Sequence, residues 1–358
     1  GSLSNTGYWR YDRFYYDADH ARSETVNFLG GTIKGGVNFN IDRYNNVFAN
    51  IGYISRAPFF SGGAFLNSTI SNATNPDAVN EKIFSAEIGY GFKSPKFALN
   101  LNAYYTMWMD KTMTASGKDY QYELDGVTVT DRPKINLQGV DARHMGIELD
   151  FVAKPAKWLD INGMLSWGDW QWNSNATGFW YNEAGQPMAD TKGTIATATG
   201  VTEWTPEIGD LYGVTQDKFK PHAVTKINLK GVKVGDSAQT TALIGATFKP
   251  LKGMRIGLDW SVFARNYANY AISNPSMNDT ANYKTPWEIP WGNQFDFNIS
   301  YGFKVGSCRA TVYGNINNLF DQEYITDAYD GATHDWDSAY RVFYAFGRTF
   351  TVRLKLNF

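Results

Sequence analysis

From Thr349 to Phe358 apolar and polar residues alternate without a break. Phe350, Val352, Leu354, Leu356 and Phe358 fall on one side, and Thr349, Thr351, Arg353, Lys355 and Asn357 on the other. Successive strand side chains point to opposite faces, so this run predicts a strand with one greasy and one wet side. The pattern recurs. Phe295, Phe297, Ile299, Tyr301 and Phe303 oppose Asp296, Asn298 and Ser300; Met254, Ile256, Leu258, Trp260 and Val262 oppose Arg255 and Asp259; Met145, Ile147, Leu149 and Phe151 oppose His144, Glu148 and Asp150. Similar runs begin at Ile33, Phe97 and Leu159, with weaker ones at 47–55, 82–91, 239–248 and 308–316. About eleven strands are predicted, most near the 9 to 11 residues of a tilted bilayer-crossing strand and longer than the usual soluble one.

The connections fall into two alternating populations. Tight turns are predicted at Asp42–Asn46, Gly91–Lys96, Lys154–Lys157, Lys249–Gly253 and Lys304–Ser307. Between them lie long segments at 57–80, 107–142, 169–237, 266–292 and 317–347. His222–Val232, with Val224, Ile227 and Leu229, has some strand character, but placing a strand there breaks the alternation, so it is read as part of the third long segment. One end of the sheet then carries all the turns and the other all the loops, the layout of an outer-membrane barrel. A soluble sandwich also alternates. Against it stand apolar faces free of charge along whole strands and aromatics gathered at strand ends, such as Tyr53, Tyr90, Trp108, Trp167 and Tyr301, where interfacial girdles belong.

Composition narrows the classes further. Charged residues make up 19% of the 358, and a formal net charge of −2 leaves no basic footprint for nucleic acid. Cys308 stands alone, which excludes a disulfide framework and a cysteine-based zinc site. No run approaches the roughly 20 apolar residues of a membrane helix. The start, Gly1-Ser2-Leu3-Ser4, shows no secretion signal.

The chain resembles the C-terminal barrel portion of TonB-dependent outer-membrane receptors, the Bacteroidetes branch in particular. The resemblance is carried by Asn318-Leu319-Phe320-Asp321 with Tyr324, by Gly347-Arg348 opening the final strand, by the terminal Phe358, and upstream by Gly36–Asn40, Asn46–Tyr53 and Ser55–Pro58. It implies an all-β fold, a transmembrane antiparallel barrel, of which this chain is the C-terminal half, 11 to 12 strands of a probable 22. Residues 1–30 are then an extracellular loop or first strand and 31–358 the barrel portion with long loops. Eleven antiparallel strands cannot close, so either Tyr8–Tyr16 supplies a twelfth or the missing strands precede Gly1. Nothing resembles the plug. The implied function is energy-coupled import of a nutrient, a glycan, a peptide or a metal chelate, at the outer membrane of a Gram-negative bacterium. The implied partners are an N-terminal half with the plug, the TonB–ExbB–ExbD complex acting through that plug, outer-membrane lipids, and a SusD-like surface lipoprotein in some relatives. The alternative is a passive porin-like channel, or a complete 12-stranded barrel with a structural or adhesive role.

For chemistry, His20, His144, His222 and His334 show no nucleophile or metal spacing, and neither an enzyme activity nor a cofactor is predicted. His334, Asp335 and Asp337 offer cation ligands but read as a solvated loop. The loop aromatics Trp170, Trp172, Trp180, Tyr181, Trp204, Trp287 and Trp336 are the predicted ligand contacts, because exposed rings supply stacking and apolar surface. The competing reading packs them against each other. Glu87, Glu148, Asp150, Asp259, Arg353 and Lys355 are predicted to line a polar lumen, with Lys34, Arg265 and Arg309, as charges of mixed sign that pair with one another and with a plug.

Overall fold

A computed structural model describes residues 1–11, 21–68, 71–117, 119–124, 127–183, 185–191, 194–199, 203–212, 215–217, 219, 222–269, 272 and 280–358. The strands in chain order are β1 (Ser2–Tyr8), β2 (Val26–Asn40), β3 (Asn45–Arg56), β4 (Glu81–Lys93), β5 (Phe97–Ser116), β6 (Tyr120–Leu124), β7 (Val127–Asp131) and β8 (Lys134–Ala156). Then follow β9 (Leu159–Trp172), β10 (Ala176–Tyr181), β11 (Met188–Thr191), β12 (Thr194–Thr199), β13 (Val224–Asn228), β14 (Ser237–Phe248) and β15 (Met254–Tyr267). The last are β16 (Thr280–Asn282), β17 (Glu288–Ile289), β18 (Gly292–Val305), β19 (Cys308–Asn317), β20 (Ile325–Tyr329), β21 (Arg341–Tyr344) and β22 (Thr349–Asn357).

Twelve of these make a single wall in the order β1-β2-β3-β4-β5-β8-β9-β14-β15-β18-β19-β22, every neighbour antiparallel. The expected count of eleven is short by β1, whose register runs from Ser2↔Thr32 to Tyr8↔Val26. Of the span Tyr8–Tyr16 proposed for a twelfth strand, Tyr8 ends β1 and residues 12–16 lie outside the described part, as does His20. An even strand number permits antiparallel closure, yet β1 and β22 do not pair, and all nine residues of β22 are exposed on both faces.

The tight turns have local causes. The Asp42 carboxylate accepts the amide hydrogens of Tyr44 (2.7 Å) and Asn45 (2.9 Å), an Asx-type turn that joins β2 to β3. Gly253 and Gly306 close later turns at φ +88° and +60°, where a side chain is strained.

Strand alternation gives the wall two unlike faces. One carries Val37 (71% exposed), Ile88 (63%), Ile147 (48%) and Val352 (80%) with nothing packed over it; the other carries Asn38, Glu87, Glu148 and Arg353. The buried apolar core lies elsewhere, in the long connections. Ile135, Leu137, Trp180, Met188, Ile227 and Leu229 form it, with Trp172 and Val140.

That core is assembled by strands that outrun the wall. β5 and β8 continue past a pair of irregularities, at Asp110 (φ +57°) and Gly139 (φ +69°), where their register shifts. Beyond them β8 exchanges its partner β9 for β10, which pairs with β13 antiparallel, which pairs with β16 in parallel. A latch fixes the junction: Asp110 N–H donates to Asp141 Oδ1 (3.0 Å), Asp141 N–H to Ser174 Oγ (2.8 Å), and Ser174 Oγ–H to the Gly139 carbonyl (2.8 Å). Residues 222–232 do contain a strand, β13, but it belongs to this loop sheet and leaves the alternation of turns and loops intact.

Candidate functional site

On the polar face, cross-strand register decides what each charge meets. Asn50 Nδ2 donates to Glu87 Oε2 (3.1 Å), Asn100 Nδ2 to Asp150 Oδ1 (3.1 Å), and Asn298 Nδ2 to Asp259 Oδ2 (3.2 Å). Glu148 stands opposite Asn102, and Lys355 opposite Thr311. The Arg353 guanidinium lies 4.2 Å from the Tyr313 ring centroid. Among the described residues none of the six predicted lumen charges forms an ion pair, so the expected mutual pairing is corrected: asparagine amides take the place of cations. The reason is distance. Glu148 and Asp150 on β8 are six strands from Arg353 on β22, roughly 29 Å along the sheet at about 4.8 Å per strand, well beyond a screening length of about 8–10 Å.

Arg265 departs from its predicted face. Its backbone is left-handed (φ +53°), which turns the side chain to the apolar side, where the guanidinium sits 5.3 Å from the Trp167 ring and donates to the Gly168 carbonyl (2.7 Å).

At the loop end of the polar face two adjoining hollows share Tyr324 and Thr326. One, about 320 Å³, is bounded by Thr241, Phe263, Asn266 and Gly292; the other, about 450 Å³, by Gln294, Asn317, Tyr344 and Phe346. The Tyr324 ring stacks on Phe263 (5.9 Å, 14°) and its hydroxyl donates to Gln294 Oε1 (2.9 Å). Asn266 Nδ2 donates to the Thr326 carbonyl (2.8 Å), while its Oδ1 is buried without a partner. Gly292 has no side chain to obstruct Tyr324: a Cβ there would lie 2.3 Å from the Tyr324 ring. The alternation along the strands does not mark this vestibule. Its one legible sign is Phe263, an aromatic at a polar-face position of β15.

Asn318, the first residue of the Asn-Leu-Phe-Asp run, folds the last connection back onto the wall. It is 1% exposed, takes φ +53°, donates from Nδ2 to the Gln322 carbonyl (2.8 Å) and accepts Gln322 N–H on Oδ1 (2.8 Å). Phe320 turns to the apolar side, against Phe295 at 5.2 Å.

The structure separates the predicted loop aromatics into three groups. Trp172, Trp180 and Tyr181 are enclosed, at 9%, 1% and 2% exposure. Trp180 Nε1–H donates to Thr225 Oγ1 (2.8 Å) and its carbonyl meets His222 Nε2 (2.8 Å). Tyr181 faces His222 edge-on at 4.8 Å and approaches Asp77 at 3.5 Å. Burial pushes the Tyr181 hydroxyl up, with Asp77 adding to it, and burial pulls the His222 imidazole below its ordinary value. Trp170 lies near the end of β9 on the polar face, donating from Nε1 to the Tyr104 hydroxyl (2.9 Å), with His144 at 5.5 Å. Trp204, Trp287 and Trp336 stay nearer the surface: Trp336 is 52% exposed and meets Trp287 at 6.0 Å, and Trp204 packs beside Gly209 of the helix Pro206–Tyr212.

His334 pairs through Nδ1 with Asp330 Oδ2 (2.6 Å) rather than with Asp335. Hydrogen bonds from Thr333 Oγ1 (2.7 Å) and Ser338 N–H (3.0 Å) hold the Asp335 carboxyl below the usual range. Among the described residues no three His, Cys, Asp or Glu side chains converge on a metal position.

An antiparallel wall of twelve strands with turns at one end, loops at the other, and opposed apolar and polar faces defines a portion of a barrel. The family model "TonB dependent receptor-like, beta-barrel" matches residues 1–319, and the chain belongs to that family. Among solved structures it is similar to the copper transporter OprC (TM-score 0.52, 15% identity, covering 92% of this chain and 39% of that one). It is also similar to BauA, the ferric preacinetobactin receptor from Acinetobacter baumannii (TM-score 0.49, 14% identity, 92% and 36%). The first likeness is one of fold. The chain spans about two fifths or less of the length of either. Nothing among curated proteins matches it.

Proposed function

We propose that this chain is the C-terminal half of the barrel of an energy-coupled importer in the outer membrane of a Gram-negative bacterium of the Bacteroidetes branch. The observation that carries the reading is the pairing of an uncovered apolar face with an amide- and carboxylate-lined face on the same twelve strands. Acyl chains cover the apolar face, and the polar face borders a lumen. Residues 1–30 supply the first strand and its outward connection, and 31–358 the remaining wall and loops.

The unpaired β1 and β22 favour a larger barrel over a complete twelve-stranded one, because a long exposed edge is a template for further pairing. The missing N-terminal half brings the remaining strands and a plug, through which the TonB–ExbB–ExbD complex opens a path. The cargo is a nutrient, a glycan, a peptide or a metal chelate, and no residue of the chain is assigned a catalytic role. It is gathered at the vestibule of Phe263, Gln294 and Tyr324 and at the rings of Trp204, Trp287 and Trp336, with Trp172, Trp180 and Tyr181 as the framework behind them. A SusD-like lipoprotein is a candidate cover for these loops.

Uptake in cells with and without TonB tests the proposal. Accumulation of the cargo that stops when TonB is deleted supports an importer; TonB-independent passage, with a stable open conductance in planar bilayers, supports a porin instead.

A further inference from the structure

Three of the tight turns repeat one frame, lysines three apart around a proline: Lys93-Ser94-Pro95-Lys96, Lys154-Pro155-Ala156-Lys157 and Lys249-Pro250-Leu251-Lys252. The flanking turns add Arg43 and Lys304, and the only carboxylate among the five turns is Asp42. The opposite end is acidic; the last long connection alone holds Asp321, Glu323, Asp327, Asp330, Asp335 and Asp337 against Arg341 and Arg348. A net charge near zero therefore hides a strong polarity along the strand direction, with the turn rim basic.

Two of these turns adjoin because β9 pairs with β14, and the Lys249 N–H donates to the Trp158 carbonyl at 2.7 Å. Between them lies a hollow of about 510 Å³ bounded by Lys157, Trp158, Lys249, Leu251, Lys252 and Arg255. Its cations differ in freedom. Lys249 and Arg255 both engage Asp160, the latter at 3.6 Å, whereas Lys157 and Lys252 are exposed and have no carboxylate partner among the described residues. Its other half is apolar. Trp158 (52% exposed) stands edge-on to Phe248 at 5.6 Å on the apolar face, and Leu251 (51% exposed) continues that surface.

We propose that this hollow binds the headgroup of an anionic phospholipid, the phosphodiester between Lys157 and Lys252 and the acyl chains running over Trp158 and Phe248. The proposal rests on the membrane reading above. Basic clusters at a bilayer surface attract anionic headgroups, and an indole at headgroup depth is the usual apolar companion. Among the described residues no carboxylate bounds the hollow, and Asp160 beside it is already engaged by Lys249 and Arg255 and is not free to receive the ammonium of a zwitterionic lipid. An inorganic anion would leave Trp158 and Leu251 uncovered.

The test is native mass spectrometry of the protein purified from its own membrane, titrated with phosphatidylglycerol or phosphatidylethanolamine. Retention of phosphatidylglycerol should exceed that of phosphatidylethanolamine by at least about tenfold, and Lys157→Gln with Lys252→Gln should lower it about thirtyfold, the scale expected for removing two cations at an anionic surface. Lys230→Gln, in a long connection, should change nothing. Equal retention of the two lipids, an unaffected double variant, or displacement by millimolar inorganic phosphate would each overturn the site. Flotation with vesicles separates the two readings: protein that floats without headgroup preference removes this site alone, and protein that does not float removes the membrane reading with it.

Discussion

Trp180 donates its indole hydrogen to Thr225 Oγ1 at 2.8 Å, and the bond joins two strands, β10 and β13, that belong to a loop rather than to the wall. Around it the longest connection builds a hydrophobic core of its own, raised on the extensions of β5 and β8. The wall leaves its apolar face uncovered, whereas the cap packs a dry core at the loop end.

Trp180→Ala should therefore unfold the cap locally. Emptying a site of this size costs about 3–5 kcal/mol, and the indole hydrogen bond to Thr225 Oγ1 is lost with it. Gly117→Ala should act in the same direction, since a Cβ there would lie 2.5 Å from the indole. Hydrogen exchange should rise in 134–138, 176–181 and 224–228 and stay unchanged in β18, β19 and β22.

His222 makes the cap sensitive to acid. Burial, the largest influence, lowers its pKa, with the Trp180 carbonyl and Asp77 opposing. The unfolded segment thus binds a proton more readily than the folded one. Stability contributed by neutral His222 is fully present above the ordinary histidine value near 6.5 and is lost as pH falls from there toward the folded value. Exchange of β10 and β13 should increase between about pH 7.5 and 5.5, and His222→Phe should flatten the dependence.

Asn318→Ala removes two local hydrogen bonds and places alanine at φ +53°. A destabilisation of about 3 kcal/mol is expected in urea unfolding. Asn317→Ala, whose bond to Thr349 is solvent-exposed, should cost less than about 1 kcal/mol.

Trp204→Ala and Trp336→Ala should weaken cargo uptake several-fold while leaving the folded fraction of the protein unchanged, because neither ring lies in the cap core. Uptake equal to that of the parent would place the ligand elsewhere, at Tyr324 and Phe263.

How much of this was legible follows from what each element depends on. β22 was readable because its alternation is a property of neighbouring residues alone. For residues 1–30 the sequence leaves an extracellular loop and a first strand both open, because Ser2, Ser4, Asn5 and Thr6 are polar and only Leu3 marks a face; the strand character of β1 comes from pairing with β2. Parity assigns Arg265 to the polar side, and a single left-handed residue reverses that. The asparagine partners of Glu87, Asp150 and Asp259 depend on register between strands, which no one strand encodes. Trp180 and Trp336 are alike in sequence, for a tryptophan in a loop reads the same whether the loop encloses it or presents it. The vestibule at Tyr324 needed three separated segments to meet.

Lipid contact tested residue by residue bears most directly on the account. In a Cys308→Ser background, single cysteines at Val37, Ile147 and Val352, and at Asn38, Glu148 and Arg353, can carry a fluorophore in vesicles containing brominated lipid. The first three should be quenched by the brominated chains and the other three by an aqueous quencher. Equal quenching of both sets, or loss of the difference between the two neighbours of each pair, would contradict the account.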